Sequence, residues 1–332
     1  MSQEPNTIPL EEFSQLARAI EAEVGRVIVG QRDVVRHVLI CVLAGRHALL
    51  EGVPGLGKTQ LIRTLADALD LDFSRIQFTP DLMPADITGT NVMEDTEDGR
   101  KMFRFQRGPI FANLILADEI NRATPKTQSA LLEAMQEKTV TVGGQMYPMA
   151  KPFFVLATQN PVEQEGTYPL PEAQLDRFMF KINVTFPSSD ELVEIIARTT
   201  GQAEPQAGKV ASGAQVIAMR DLALQTPVAS HVSRFVADLI VATHPDNPAA
   251  PETVRRYVQY GASPRGAQAL ILGGKIHALL EGRFNVAFDD VEAVAAAALR
   301  HRLLLNFEGL AEGIRTEDII AELFRHVERV PA

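Results

Sequence analysis

The stretch GVPGLGKT at residues 52–59 decides the fold of this chain of 332 residues. It fits the pattern G-x-x-x-x-G-K-[ST] in full, between the apolar segment HALLEG (47–52) and the helical pattern KTQLIRTLADALD (58–70). Glycines in such a loop let backbone N–H groups turn toward phosphate oxygens, and the positive end of the following helix faces the same anion. The sequence therefore predicts a phosphate-binding loop between a strand and a helix.

The side chains of this loop predict how a nucleotide is held. Lys58 is expected to reach the β- and γ-phosphates, and the Thr59 hydroxyl to coordinate Mg²⁺. A glycine-rich turn that matches by chance is the alternative, and the strand–helix context argues against it. The predicted loop residues in contact with nucleotide are Gly52, Pro54, Gly55, Gly57, Lys58 and Thr59.

Two adjacent acids end the apolar run LILADEINRA (114–123). Carboxylates next to a hydrophobic interior repel each other and lose hydration, so a cation or a proton donor is expected in front of them. With a phosphate loop upstream, Asp118 is predicted to hold magnesium, directly or through water. Glu119 is predicted to polarise the water that attacks the γ-phosphate. The alternative is a pair of acids at a helix start, favoured by the helix dipole.

Composition limits the class of protein. Hydrophobic residues make up 46% and charged residues 22%, as in ordinary globular proteins. The net charge of −10 argues against a large basic surface for nucleic acid. The single cysteine, Cys41, lies in an apolar stretch and is expected in the core. The N-terminus does not resemble a secretory signal, and Arg or His interrupts every long apolar run. We therefore expect no membrane span and a cytoplasmic location.

Strand-like runs alternate with helical patterns, which predicts an α/β fold with a mainly parallel sheet flanked by helices. The strand candidates are HALLEG, FSRIQF, NLILAD, FFVLATQ and KINVTF, and the C-terminal part has helical patterns up to DDVEAVAAAALRHRLLL (289–305). The predicted organisation is an N-terminal helix (1–27), an α/β nucleotide-binding domain (28–200), a linker (201–214) and a smaller all-α lid (215–332).

Five ordered motifs resemble those of AAA+ ATPases of the P-loop NTPase fold. They are the phosphate loop, the DE pair, VLATQNP (155–161), PLPEAQLDRF (169–178) and GASPRG (261–266). The amino-acid sequence resembles that of the MoxR family, in the helix-2-insert branch, from about Ile28 to LRHRLLLNFEG near the C-terminus. The resemblance implies binding of ATP with Mg²⁺ and hydrolysis to ADP and phosphate.

The resemblance also implies three further site residues. Asn160 matches the sensor-1 residue that positions the attacking water, although Asn before Pro161 is also a common turn residue. Arg177 matches the arginine finger directed at an adjacent subunit. A surface ion pair with Asp176 or Glu172 is its alternative, and Arg122 is a second candidate for the finger.

Arg265 matches the sensor-2 arginine, expected at the start of a lid helix near the γ-phosphate. Its alternative is an exposed residue in a first helical turn, a position that mildly disfavours a cation.

Two segments resemble inserts of this branch. Residues 87–111, with the acidic turn EDTEDG, match the helix-2 insert, and residues 138–151 match the pre-sensor-1 hairpin. Surface hairpins without a function are the alternative. We expect at least one of Phe103 and Phe105 to lie in the core.

The leading functional interpretation is a chaperone-like motor that forms a homo-oligomeric ring, expected to be a hexamer, and remodels or matures protein partners. The resemblance implies a partner with a von Willebrand factor A domain and roles such as metal or cofactor insertion. The ATPase subunit of a metal chelatase-like complex is an alternative. A nucleic-acid motor is disfavoured because the hairpin TVTVGGQMYPM has no Lys or Arg.

Overall fold

The computed structural model describes residues 8–95, 101–161, 166–201 and 205–329. The first part of the chain contains helices α1 (Leu10–Val27), α2 (Arg32–Ala44), α3 (Lys58–Ala68), α4 (Pro84–Thr88), α5 (Pro125–Glu137), α6 (Glu172–Leu175) and α7 (Ser189–Thr199). The second part contains α8 (Gly213–Gln225), α9 (Ser230–Ala242), α10 (Glu252–Tyr257), α11 (Pro264–Leu280), α12 (Phe288–Leu299), α13 (Phe307–Ala311) and α14 (Thr316–His326). Among the described residues, no helix is long and apolar enough to cross a membrane.

A five-stranded parallel sheet forms the centre of the first part. Its strands are β1 (Ala48–Glu51), β2 (Phe73–Gln77), β5 (Leu114–Asp118), β8 (Phe154–Gln159) and β9 (Phe180–Asn183), in the order β2-β5-β8-β1-β9. Strand β5 is buried along its whole length, as its apolar sequence predicts. The predicted α/β class with a parallel sheet is confirmed, and the order places β1 between β8 and β9.

In the described part of the chain, three two-stranded antiparallel pairs lie outside this sheet: β3 (Gly89–Asp95) with β4 (Lys101–Arg107), β6 (Thr139–Val142) with β7 (Gln145–Pro148), and β10 (Val258–Tyr260) with β11 (Leu304–Leu305). We call β3–β4 the insert hairpin and β6–β7 the second hairpin. The acidic turn predicted in the first of these lies partly outside the described residues.

Aromatic stacking joins the two hairpins. The rings of Phe105 and Tyr147 are stacked with centroids 4.0 Å apart, and Phe105 also contacts Phe111 edge-on. Phe103 is 69% exposed and Phe105 is half-buried. The expectation that one of Phe103 and Phe105 lies in the core is therefore wrong, because their hairpin projects from the sheet and Phe105 packs on another hairpin.

The described part of the chain from α8 onward, which we call the lid, is mainly helical. Helix α12 packs on β9, and α11 packs on α1 and α2. Ser263 begins α11 as an N-cap that accepts a hydrogen bond from the Arg265 N–H at 3.1 Å, as its position before Pro264 predicts. The helical pattern predicted to extend to Leu305 stops at Leu299. Beyond it, three consecutive basic residues, Arg300 to Arg302, turn toward β9.

Candidate functional site

The phosphate loop connects the carboxyl end of β1 to the start of α3. Gly55 and Gly57 have φ angles of 86° and 74°, in the left-handed region that favours glycine. Lys58 lies at the first turn of α3, and its Nζ donates a hydrogen bond to the Gly52 carbonyl at 2.6 Å. Burial lowers the pKa of Lys58, while the carboxylates of Asp118 and Glu119 act in the opposite direction. The lysine thus lies in the field of both predicted acids.

Asp118 ends β5 and is buried, with both carboxylate oxygens hydrogen-bonded. The Thr158 hydroxyl donates to Oδ1 at 2.6 Å. The Arg75 guanidinium, from β2, donates to Oδ2 through Nε at 3.0 Å and a terminal nitrogen at 2.7 Å. Neighbouring strands on both sides of β5 therefore fix the orientation of this carboxylate.

Glu119 follows the strand end with φ 56°, a left-handed conformation rare outside glycine, Asn and Asp. Its N–H donates to the Thr158 hydroxyl at 2.8 Å, and its Oε2 accepts from Gln77 at 2.8 Å. Arg122 lies 3.1 Å from the same oxygen. An arginine therefore lies against each of the two acids, Arg75 at Asp118 and Arg122 at Glu119.

Thr59 and Asp118 fit a magnesium ion by the chemistry of their oxygen donors. Among the described residues, no group of three His, Cys, Asp or Glu side chains could hold a metal ion. Mg²⁺ commonly binds through one or two protein oxygens together with phosphate and water. The donor set is therefore suitable for a metal that arrives with a nucleotide.

An apolar cavity of about 350 Å³ lies beside the phosphate loop. Val29, Gln31, Phe186 and Leu192 are among its lining residues, together with the loop residues Gly55 to Gly57. Gln31 is tied to the loop, since its side-chain amide donates to the Leu56 carbonyl at 3.2 Å. The cavity suits a flat, apolar base. The sequence motifs did not identify it, because its walls come from separate segments with no pattern of their own.

Asn160 lies immediately beyond β8, between the strands that carry Asp118 and the phosphate loop. It is 5% exposed and lines a cavity of about 350 Å³ with Glu51 and Asn121. Since the carboxyl ends of parallel strands meet at one edge of a sheet, the structure brings Asn160, Asp118 and the phosphate loop to the same edge.

Arg177 and Arg265 lie at the amino ends of the parallel strands, opposite the carboxyl ends where the phosphate loop lies. Both line a cavity of about 150 Å³ with residues that precede β1 and β9, and none of its lining residues belongs to the phosphate loop. We call it the cationic recess, defined by Arg46, Lys138, Arg177, Arg265 and Arg302. Strand β1, of four residues, separates it from the loop by roughly 13 Å at about 3.3 Å per residue.

The recess bears on the alternatives for both arginines. Arg177 donates to the Leu132 carbonyl at 3.0 Å, and among the described residues it forms no ion pair with Asp176 or Glu172. Arg265 lies 3.7 Å from Asp176 and its side chain is 47% exposed. The sequence placed Arg265 near the γ-phosphate, and the structure does not bring it to the phosphate loop of its own chain.

Comparison with known proteins matches two family models. The model of the ATPase family associated with various cellular activities (AAA) covers residues 47–180, and an AAA lid domain covers residues 251–323. Chaperone MoxR1 of Mycobacterium tuberculosis is 45% identical over 95% of this chain and 82% of its own length. Protein MoxR of Methylorubrum extorquens is 31% identical over 99% of this chain and 98% of its own. The chain belongs to the MoxR family of AAA ATPases.

This MoxR-family chain also matches a solved structure along nearly its whole length. A protein of Cytophaga hutchinsonii described as a candidate ATPase superposes with a TM-score of 0.90 at 42% identity, with 97% of each chain covered. The chain is thus a chaperone-like AAA ATPase. Within it, the phosphate loop, the two acids and Asn160 form one group, and Arg177 with Arg265 forms a second group that the fold keeps apart from the first.

Proposed function

We propose that the chain hydrolyses ATP to ADP and phosphate as a ring-forming motor that remodels or matures protein partners. One observation carries the proposal: the two groups of site residues lie at opposite ends of the strands of one parallel sheet. A single copy therefore does not complete its own site. A second copy, placed head-to-tail, would supply the missing arginines, and repetition of such a contact closes a ring. A hexamer is the expected ring.

In the proposed reaction the phosphate loop binds the triphosphate through its backbone N–H groups and Lys58. Thr59 and Asp118 would hold Mg²⁺, which neutralises charge on the β- and γ-phosphates when it is bound. The apolar cavity beside the loop takes the adenine. Arg75 also binds the Asp118 carboxylate, so it would compete with Mg²⁺ or its water shell for that group.

Glu119 is proposed as the base that orients and deprotonates the attacking water, with Asn160 holding that water from the next strand. The carboxylate of Glu119 is bound by Gln77 and Arg122. Both partners bind the same oxygen, Oε2, which leaves Oε1 to accept the proton of the water. Arg122 therefore serves its own chain's acid, which favours Arg177 over Arg122 as the finger that acts in trans.

The cationic recess supplies the second half of the site. Among the described residues lining it, four arginines and a lysine face one acid, Asp176. Such a surplus of positive charge suits the triphosphate of an adjacent subunit, where arginine stabilises charge that develops during phosphoryl transfer.

The two hairpins are proposed to contact the protein client. Exposed apolar side chains concentrate there: Met93 (56%), Met102 (61%), Phe103 (69%) and Met146 (65%). Methionine is flexible and polarisable, so a surface rich in it adapts to varied polypeptides. A partner with a von Willebrand factor A domain, and metal or cofactor insertion as the outcome, remain proposals from the family resemblance.

The test combines two variants that are inactive for different reasons. Glu119→Gln should bind ATP without hydrolysing it. Arg177→Ala should bind ATP normally, while turnover falls by roughly 10³–10⁵. Mixed under conditions of subunit exchange, about a quarter of interfaces in a random ring combine an intact Glu119 with an intact Arg177, so activity should partly return. Arg234→Ala, an exposed lid arginine paired with Asp238, is the control for loss of a surface charge.

Wild-type turnover in Glu119→Gln would show that Glu119 is not the base that activates the water. Failure of the mixture to recover activity, although size analysis shows mixed rings, would refute the in-trans assignment of Arg177. Equal losses in Arg234→Ala and Arg177→Ala would show that the assay responds to surface charge alone.

A further inference from the structure

Three consecutive residues that follow α12 bind one stretch of backbone around the start of β9. We call residues 176–181 the finger segment, because it contains Arg177. The side chains of Arg300, His301 and Arg302 donate to the carbonyl oxygens of Lys181, Phe178 and Met179 at 3.2, 3.1 and 3.0 Å. The lid and the finger segment are thereby joined along their length.

Arg302 makes the largest share of this junction. Its side chain is 3% exposed, and it donates five hydrogen bonds. Nε binds the Asp176 carboxylate at 2.8 Å, and a terminal nitrogen binds the carbonyls of Asp176 at 3.1 Å and Phe178 at 2.8 Å. All five donors of this guanidinium are therefore used, four of them on the finger segment.

Asp176 connects the same segment to the start of α11. Its two carboxylate oxygens lie 3.0 and 2.8 Å from the Ser263 hydroxyl, the N-cap of that helix. It also lies 3.7 Å from Arg265. Asp176 precedes Arg177 in the chain, so a single carboxylate is adjacent to both Arg177 and Arg265 and is itself fixed by Arg302.

We propose that Arg302 and Asp176 form a fixed joint that sets Arg177 and Arg265 as one rigid pair. Arg302 is then a positioning residue for the half of the site that acts on the neighbouring subunit, an inference that rests on the proposed function. It follows that the lid and the finger move together, so any displacement of the lid carries both arginines with it. An ion pair that only stabilises the lid would have no such effect.

The test uses two variants that weaken the joint by different amounts. Arg302→Gln removes the guanidinium. Asp176→Asn keeps the shape of the side chain and leaves the carbonyl hydrogen bonds of Arg302 in place, so it preserves the fold if Arg302→Gln does not. In both, kcat should fall about 10–100-fold, since a displacement near 1 Å costs about that much. KM for ATP should stay within about twofold of the wild-type value, because each subunit's own phosphate loop is untouched.

Two further measurements separate positioning from simple stability. Mixing either variant with Glu119→Gln should partly restore turnover, because the Glu119→Gln subunit provides correctly set arginines. Arg283→Gln is the matched control: Arg283 binds buried Asp290 within the lid, away from the recess. This control should lose stability and keep its turnover.

The proposal is overturned if Asp176→Asn and any folded Arg302→Gln protein retain wild-type kcat. It is also overturned if their losses are not rescued by Glu119→Gln while that of Arg177→Ala is, or if Arg283→Gln loses kcat equally. Absence of rescue for Arg177→Ala itself would instead refute the proposed in-trans function, so the two failures are distinguishable.

Discussion

Replacement of Thr158 by valine tests how the two acids at the sheet edge are held. Thr158 is fully buried in β8, and its hydroxyl makes two hydrogen bonds across to β5. It donates to the Asp118 carboxylate at 2.6 Å and accepts from the Glu119 N–H at 2.8 Å. Valine has nearly the same shape and makes neither bond, so the change removes the hydroxyl without opening a cavity.

The magnitude follows from these two bonds. A hydrogen bond to a charged group contributes about 1.5–3 kcal/mol, and an orphaned buried N–H costs about 1–3 kcal/mol. Thr158→Val should therefore lower the free energy of unfolding by about 3 kcal/mol. Because Asp118 and Glu119 lose their common anchor, kcat should also fall about 10–100-fold. Affinity for ATP measured without magnesium should change little, since the phosphate loop keeps its contacts.

The assay compares Thr158→Val with Thr127→Val by steady-state turnover, calorimetric ATP binding and denaturant unfolding. Thr127 is equally buried and hydrogen-bonds to the Leu82 carbonyl at 2.7 Å and the Thr124 hydroxyl at 3.3 Å, away from the acids. Both variants should lose stability, and only Thr158→Val should lose turnover. Wild-type kcat in a folded Thr158→Val protein would refute the reasoning, as would equal loss in both.

Two other predictions concern charges. Burial raises the pKa of Asp290, but hydrogen bonds from His277 and Arg283 outweigh it and lower the value from 3.8 to about 2. Asp290 thus contributes about 2 kcal/mol above pH 4, lost as the pH falls toward 2. The difference in unfolding free energy between wild type and Asp290→Asn should therefore narrow as the pH falls from 4 toward 2. A difference that stays constant over this range would contradict the prediction. Arg75→Gln should lower severalfold the magnesium concentration that half-saturates nucleotide binding, because Asp118 loses a competing cation. Calorimetry of nucleotide binding at varied Mg²⁺ measures this midpoint. An unchanged midpoint would contradict the prediction.

Local sequence patterns were sufficient to predict the fold class and the strands that form the sheet. The phosphate loop is contiguous, and its glycines carry their own conformational signal. The acids Asp118 and Glu119 were recognisable because they end an apolar run. Each of these features depends on neighbours in sequence, which a single chain displays directly.

The partners of those acids could not be predicted in the same way. Arg75 and Thr158 meet Asp118 from β2 and β8, which flank β5 in the sheet and are distant from it in the chain. Their pairing depends on strand order and register, and neither has a local pattern. The position of Arg265 depends similarly on how the lid docks, which the contacts of Arg302 determine.

Those contacts also bear on whether the lid could swing to place Arg265 at its own phosphate loop. Such a motion would have to break six hydrogen bonds from Arg300, His301 and Arg302 to the finger segment. At about 1 kcal/mol each, the cost is roughly 6 kcal/mol, which leaves about one molecule in 10⁴ with the lid detached. A neighbouring subunit needs no such rupture to meet the recess. The hydrogen bonds from Arg300, His301 and Arg302 therefore favour a site completed between two subunits over a lid that closes on its own phosphate loop.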